Sequence, residues 1–172
     1  EVIQTLNGHS EERLTVSKLG VEFHRPTGLA ADNRGNLYVS DTLQGAIRKI
    51  TSRGEVTTVA TGLSEPMGLC WKDGDLYVAE SGANRVLKIS KTGNRAVLAG
   101  NGNPGFVNGT GGQASFSSPQ GVAVDKDGTV YVSDTTNSAI RRIQNGRVTT
   151  LIARDITNLR SFFPIAPAGL LV

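Results

Sequence analysis

Pro26-Thr-Gly-Leu-Ala30, Pro66-Met-Gly-Leu-Cys70 and Pro119-Gln-Gly-Val-Ala123 are three copies of one short phrase, and Pro167-Ala-Gly-Leu-Leu171 begins a fourth. They stand 40, 53 and 48 residues apart. Self-similarity at such a period marks a repeat architecture, in which one supersecondary unit is copied and stacked on itself.

Each copy continues in the same way. A turn leads to Gly35-Asn-Leu-Tyr-Val-Ser-Asp41, Gly74-Asp-Leu-Tyr-Val-Ala-Glu80 or Gly128-Thr-Val-Tyr-Val-Ser-Asp134, which reads as a second strand. A short connection then gives Ala46-Ile-Arg-Lys-Ile50, Arg85-Val-Leu-Lys-Ile89 or Ala139-Ile-Arg-Arg-Ile143, alternating apolar and polar at the spacing of a third strand. A turn at Gly54, Gly93 or Gly146 introduces the fourth: Val56-Thr-Thr-Val-Ala60, Ala96-Val-Leu-Ala99 or Val148-Thr-Thr-Leu-Ile152.

Four short antiparallel strands per repeat describe a β-propeller blade, a sheet whose two faces are both covered by neighbouring blades. In the second strands Leu37 and Val39 point one way and Tyr38 the other, and the same holds around Tyr77 and Tyr131, so neither face is polar. Corners at Arg34-Gly35, Arg53-Gly54, Asp73-Gly74 and Asp127-Gly128 supply the left-handed positions that hairpins need. Composition agrees. Twenty-one Gly in 172 residues favour many turns and short strands, and helices have little room. The expected fold is an all-β propeller with three complete blades, 26–60, 66–99 and 119–153. Residues 1–8 read as the last strand of a preceding blade and 167–172 as the first strand of a following one, so residues 1–172 form a partial propeller.

Charge is nearly balanced: 18 Lys and Arg against 15 Asp and Glu give a formal +3. No block of like charge suggests a nucleic-acid or membrane arm. No apolar run reaches the length of a membrane span. Cys70 is the only cysteine, which leaves no intrachain disulfide.

The succession Pro-x-Gly-[Val/Leu]-Ala, Gly-x-[Leu/Val]-Tyr-Val-[Ser/Ala]-[Asp/Glu], an Asn-containing turn and Ile-Arg-[Lys/Arg]-Ile resembles the NHL repeat over residues 26 to 153. The connection from Gly100 to Phe116 resembles those of bacterial multidomain proteins that carry NHL propellers. The resemblance implies a six-bladed ring, of which this chain supplies about half, with the remaining blades or a second copy closing it. It also implies an extracellular or cell-surface setting. Relatives include lyases with a zinc site of several histidines; His9 and His24 are the only histidines here.

Three motifs have simpler readings. Gly100-Asn-Gly-Asn-Pro-Gly105 fits a phosphate-cradling string, but no helical period follows it, and it reads as a loop. Asp125-Lys-Asp-Gly128 resembles part of a calcium loop but places Asp134 where the bidentate Glu belongs, and reads as a hairpin turn. Asn108-Gly-Thr110 matches a glycosylation acceptor.

The candidate contact residues lie on the rim formed by the connections between blades. They are Asp41, Glu80 and Asp134 at the exits of the second strands, Asn84 and Asn137 in the turns that follow, Arg25 before the first Pro, and Asn103 and Phe106 in the connection 100–118, one of two that are unusually long. Once-per-blade carboxylates can bind a cation or a basic ligand, or can accept backbone N–H groups of the adjoining turn. Their place in the repeat favours the second role. Arg48, Arg141 and Arg142 on third strands read as solvated or ion-paired. No catalytic or metal-binding set and no cofactor is expected. The leading functional expectation is a binding scaffold that recognises a protein or other ligand through the rim. The alternative is a hydrolase or lyase with a channel site completed by further blades. Nucleic-acid binding and membrane insertion are not expected.

Overall fold

The computed structural model describes Thr5–Leu6, His9–Ser10 and residues 21–153. Strands β1 (Thr5–Leu6) and β2 (His9–Ser10) pair with each other. The rest of the proposed preceding strand, and the proposed first strand at 167–172, lie outside the described residues.

The remaining strands form three stacked antiparallel sheets. Blade I contains β3 (Pro26–Ala31), β4 (Leu37–Asp41), β5 (Ala46–Ile50) and β6 (Val56–Ala60) in spatial order. Blade II repeats this with β7 (Pro66–Lys72), β8 (Asp75–Glu80), β9 (Arg85–Ile89) and β10 (Arg95–Ala99). Blade III has a fifth strand. Its β12 (Pro119–Val124), β13 (Val130–Asp134), β14 (Ala139–Gln144) and β15 (Arg147–Ala153) are joined at the outer edge by β11 (Gly109–Thr110), which comes from the preceding connection.

The Pro-x-Gly phrase has a steric cause. A β-carbon on Gly28 would lie 2.0 Å from the carbonyl oxygen of Met67, and one on Gly68 would lie 2.5 Å from that of Gln120. Each glycine therefore lets its inner strand pass against the backbone of the next blade. Register shifts between Pro26 and Leu29 and between Pro66 and Leu69 place both glycines at irregularities of the ladder.

Two apolar layers hold the blades together. Between blades I and II, Ile47, Leu63, Leu69, Leu76, Val78 and Ile89 are buried, with Tyr38 and Trp71 packed beside them. Between blades II and III, Tyr77, Val86, Phe116, Val130, Val132, Ile143 and Val148 are buried. The alternation of β8 thus sends Leu76 and Val78 to one neighbour and Tyr77 to the other, as the sequence pattern requires. Each such side chain contributes about 1.5–3 kcal/mol relative to exposure. Blade II is covered on both faces. On blade III, Ile152 remains 62% exposed. The register pairs Ile152 with Ile140, and Ile140 with Ser133, so it belongs to the face turned away from blade II. The three sheets do not close into a ring, as expected of a partial propeller.

Candidate functional site

The repeat carboxylates are fully engaged. Asp41 and Asp134 are 0% and Glu80 1% exposed. Each accepts the backbone N–H of the residue two places before the inner-strand proline of its own blade. His24 donates to Asp41 at 2.6 Å, Ser64 to Glu80 at 2.8 Å and Ser117 to Asp134 at 2.7 Å. Each carboxylate also meets an arginine of the third strand: Arg48, Arg85 and Arg141, respectively. The residue between clamp and proline is left-handed in all three copies, with φ of 64° at Arg25, 45° at Glu65 and 48° at Ser118. A non-glycine residue there costs roughly 1–2 kcal/mol. A buried carboxylate bonded to the neighbouring amide holds this entry in place.

Blade III enlarges the clamp around Arg141, which is wholly buried and ion-paired with Asp134, the second of the two readings its sequence position allowed. Its Nη1 donates to Asp134 Oδ2 at 2.7 Å and to the Ser115 carbonyl at 3.0 Å. Its Nη2 donates to the Val107 carbonyl and to Asn108 Oδ1, both at 2.9 Å. The guanidinium lies 4.7 Å from the Phe106 ring centre and 5.2 Å from that of Phe116. Burial pulls its pKa below the ordinary arginine value, against the opposing pull of Asp134. An arginine is still charged under these conditions, because its ordinary value is so high.

The long connection 100–118 is therefore a built element. It leaves β10, adds β11 to the edge of β15, makes a 3₁₀ turn at Gly111–Gln113 and sends Ala114 and Phe116 into the layer between blades II and III. Asn84, itself left-handed with φ 49°, accepts the Ser118 N–H at 3.0 Å. Asn137 donates to the Gly105 carbonyl at 2.9 Å and to Asp134 at 2.8 Å.

Four of the expected rim residues, Asp134, Asn84, Asn137 and Phe106, thus converge on this connection and hold it. Asp41 and Glu80 hold the equivalent entries of the other blades. Arg25 and Asn103 are exposed, the latter beside exposed Asn101, Gly102 and Pro104. Arg141, Ser115, Asn108 and Phe116 were not expected, although one signal was present. Asp41 and Asp134 each precede an arginine by seven residues, whereas the longer Glu80 precedes Arg85 by five.

The other motifs take their simpler forms. Asp125 Oδ1 accepts the N–H groups of Asp127 and Thr129, as a hairpin turn requires. Asn108 is half-buried, with its carbonyl oxygen on Arg141 and Thr150. Cys70 is half-buried beside the layer between blades II and III. Among the described residues, no three His, Cys, Asp or Glu side chains gather as metal ligands. Nor is any helix there long and apolar enough to cross a membrane.

Stacked four-stranded blades, inner-strand Pro-x-Gly phrases and a carboxylate clamp at each blade entry define an NHL-type propeller segment. The model of the teneurin NHL domain matches residues 17–169, and the chain belongs to that family. NHL repeat-containing protein 2 of Gallus gallus is 31% identical over 137 residues, covering 79% of this chain and 17% of that protein. Teneurin-3 of Mus musculus is 32% identical over 164 residues, covering 78% of this chain and 6% of that protein. The chain therefore spans a small part of these relatives. Among solved structures, a chain of the nidogen/laminin complex superposes with a TM-score of 0.65 at 18% identity, covering 89% of this chain and 57% of that one, a likeness of fold.

Proposed function

We propose that these blades form a protein-binding scaffold whose contact surface is the rim carrying the connection 100–118. The supporting observation is the division of that connection into a buried root and an exposed tip. Arg141, Asp134, Asn84 and Asn137 fix the root, while Asn101, Gly102, Asn103, Pro104 and Val107 stand exposed above it. A loop that is fixed before contact loses little conformational freedom on binding, which favours affinity and selectivity. Short polar side chains beside an exposed valine suit a protein surface with a mixed contact. Arg25 adds a cation to the exposed residues of the connections, which suits a partner with acidic groups near the edge of the contact. The likeness in fold to a chain of the nidogen/laminin complex, named as an assembly of two proteins, supports the same reading.

The test is to carry Asn103→Asp and Val107→Asp together in the protein at its natural length and to measure the partners that co-purify from its source. Both side chains are exposed, and Val107 meets Arg141 and Ser115 through its backbone, so the clamp beneath stays intact. Loss of a partner at unchanged thermal stability is the expected result. Retention of every partner would refute the assignment of the rim.

A further inference from the structure

A cleft of about 420 Å³ lies between blades I and II, at the strand ends opposite the rim. Its walls include Arg34, Lys49 and Lys91, together with Trp71 and Tyr38. We propose that it binds a small acidic sugar, with the carboxylate on the cations and the sugar face against the indole. The assignment is independent of the rim and of what binds there.

Comparison of the blades within the chain carries the argument. Lys49 in blade I and Lys88 in blade II occupy the same place in their third strands. Lys88 is neutralised by Asp75 at 2.7 Å. Blade I has Asn36 where blade II has Asp75, and Lys49 has no carboxylate partner among the described residues; its ammonium lies 5.8 Å from the Tyr38 ring centre. Arg34 and Lys91 are exposed and likewise lack a carboxylate partner among the described residues. The cleft's own acids are already engaged. Asp32 accepts from the Arg34 and Asn36 backbones, the Asn36 amide and the Tyr38 hydroxyl, and Asp73 meets Lys72 at 3.2 Å. Asp32 keeps its charge, since its donors are neutral, so Arg34, Lys49 and Lys91 face one uncompensated carboxylate and leave the cleft with a positive excess for an incoming anion.

The second departure from the repeat is Trp71, which stands where blades I and III have Ala31 and Val124. It is packed against the layer between blades I and II and also lines the cleft, so the indole is a fixed wall. An aromatic wall beside polar groups suits a ring that presents C–H groups on its face and hydroxyls on its rim. The cations add selectivity for a carboxylated ring, since charge-assisted hydrogen bonds are the stronger ones. The volume is at the small end for ligand pockets, which suits one or two sugar units.

The protein at its natural length is titrated by calorimetry with sodium glucuronate and with a uronate-terminated tetrasaccharide, against glucose, a Glu-Glu dipeptide and sodium chloride at matched ionic strength. A saturable change is expected with the uronates and not with glucose or salt. Arg34→Gln with Lys91→Gln, both at exposed turns, weakens it about tenfold. Tighter binding of the tetrasaccharide assigns the site to a glycan, and equal binding assigns it to a single sugar; either supports the proposal. The proposal is overturned by no saturable response to either uronate, by an equal response to glucose, by tighter binding of the dipeptide, or by unchanged affinity in the double variant.

Discussion

Replacing Arg141 by Ala removes the centre of the blade III clamp, and the structure sets the size of the effect. Four hydrogen bonds and two ring contacts are lost at once. Asp134 stays buried, keeping only the Ser117 N–H and the Asn137 amide as donors. Breaking a buried ion pair by removing one partner costs about 3–5 kcal/mol. The two remaining donors place Asp134 at the lower end, about 3 kcal/mol. With a urea slope of about 2 kcal/mol per molar, the unfolding midpoint falls by about 1.5 M. Arg85→Ala is the internal comparison, because its side chain is 35% exposed and water can replace it at Glu80. There the loss is about 1 kcal/mol. Amide exchange adds a local readout: protection of residues 100–118 drops in Arg141→Ala, while β8 keeps its own. Equal destabilisation by the two substitutions, or unchanged exchange in the connection, would show that Arg141 does not hold it.

Gly28→Ala and Gly68→Ala each drive a methyl group into the backbone of the next blade and lower stability by at least about 1–3 kcal/mol, measured by urea unfolding. Gly121→Ala meets only the Ser133 hydroxyl among its near neighbours and costs less. Burial alone would raise the Asp32 carboxyl, but hydrogen bonds from Asn36, Arg34 and Tyr38 outweigh it and hold the value below 3.8. Asp125 is likewise held low, with burial opposed by donors from Thr129, Asp127 and Tyr131. A carboxyl lowered by folding contributes stability above its unfolded value and loses it as pH falls through the folded one. The thermal midpoint should therefore drop below about pH 4, and Asp32→Asn with Asp125→Asn should flatten that limb. On secretion from eukaryotic cells, intact-mass measurement should find Asn108 unmodified, because its side chain is held by Arg141 and Thr150.

The blades were legible because every repeat states the same constraint in a short window. Alternation around Tyr38, Tyr77 and Tyr131 fixes both covered faces, and the glycine corners fix the hairpins. The role of the carboxylates was also readable, since a residue copied into every blade serves the blade before it serves a ligand. The connection 100–118 was not. Its strand β11 has two residues and contains Gly109, too short and too weak in propensity to show a period. Arg141 alternates with apolar neighbours on β14 as any outward residue would. Only the fold brings Phe106 and Phe116 around it and makes burial possible. The cleft beside Trp71 joins residues from two blades, so no single window of sequence contains it.

The direct test of the rim is site-specific photo-crosslinking in the protein at its natural length and in its own cells. One crosslinker replaces Asn103 at the tip of the connection, and another replaces Arg53 in the exposed turn between β5 and β6 at the opposite strand ends. The account predicts a discrete protein adduct from position 103 and none from position 53. An adduct from position 53 with none from position 103 would contradict it.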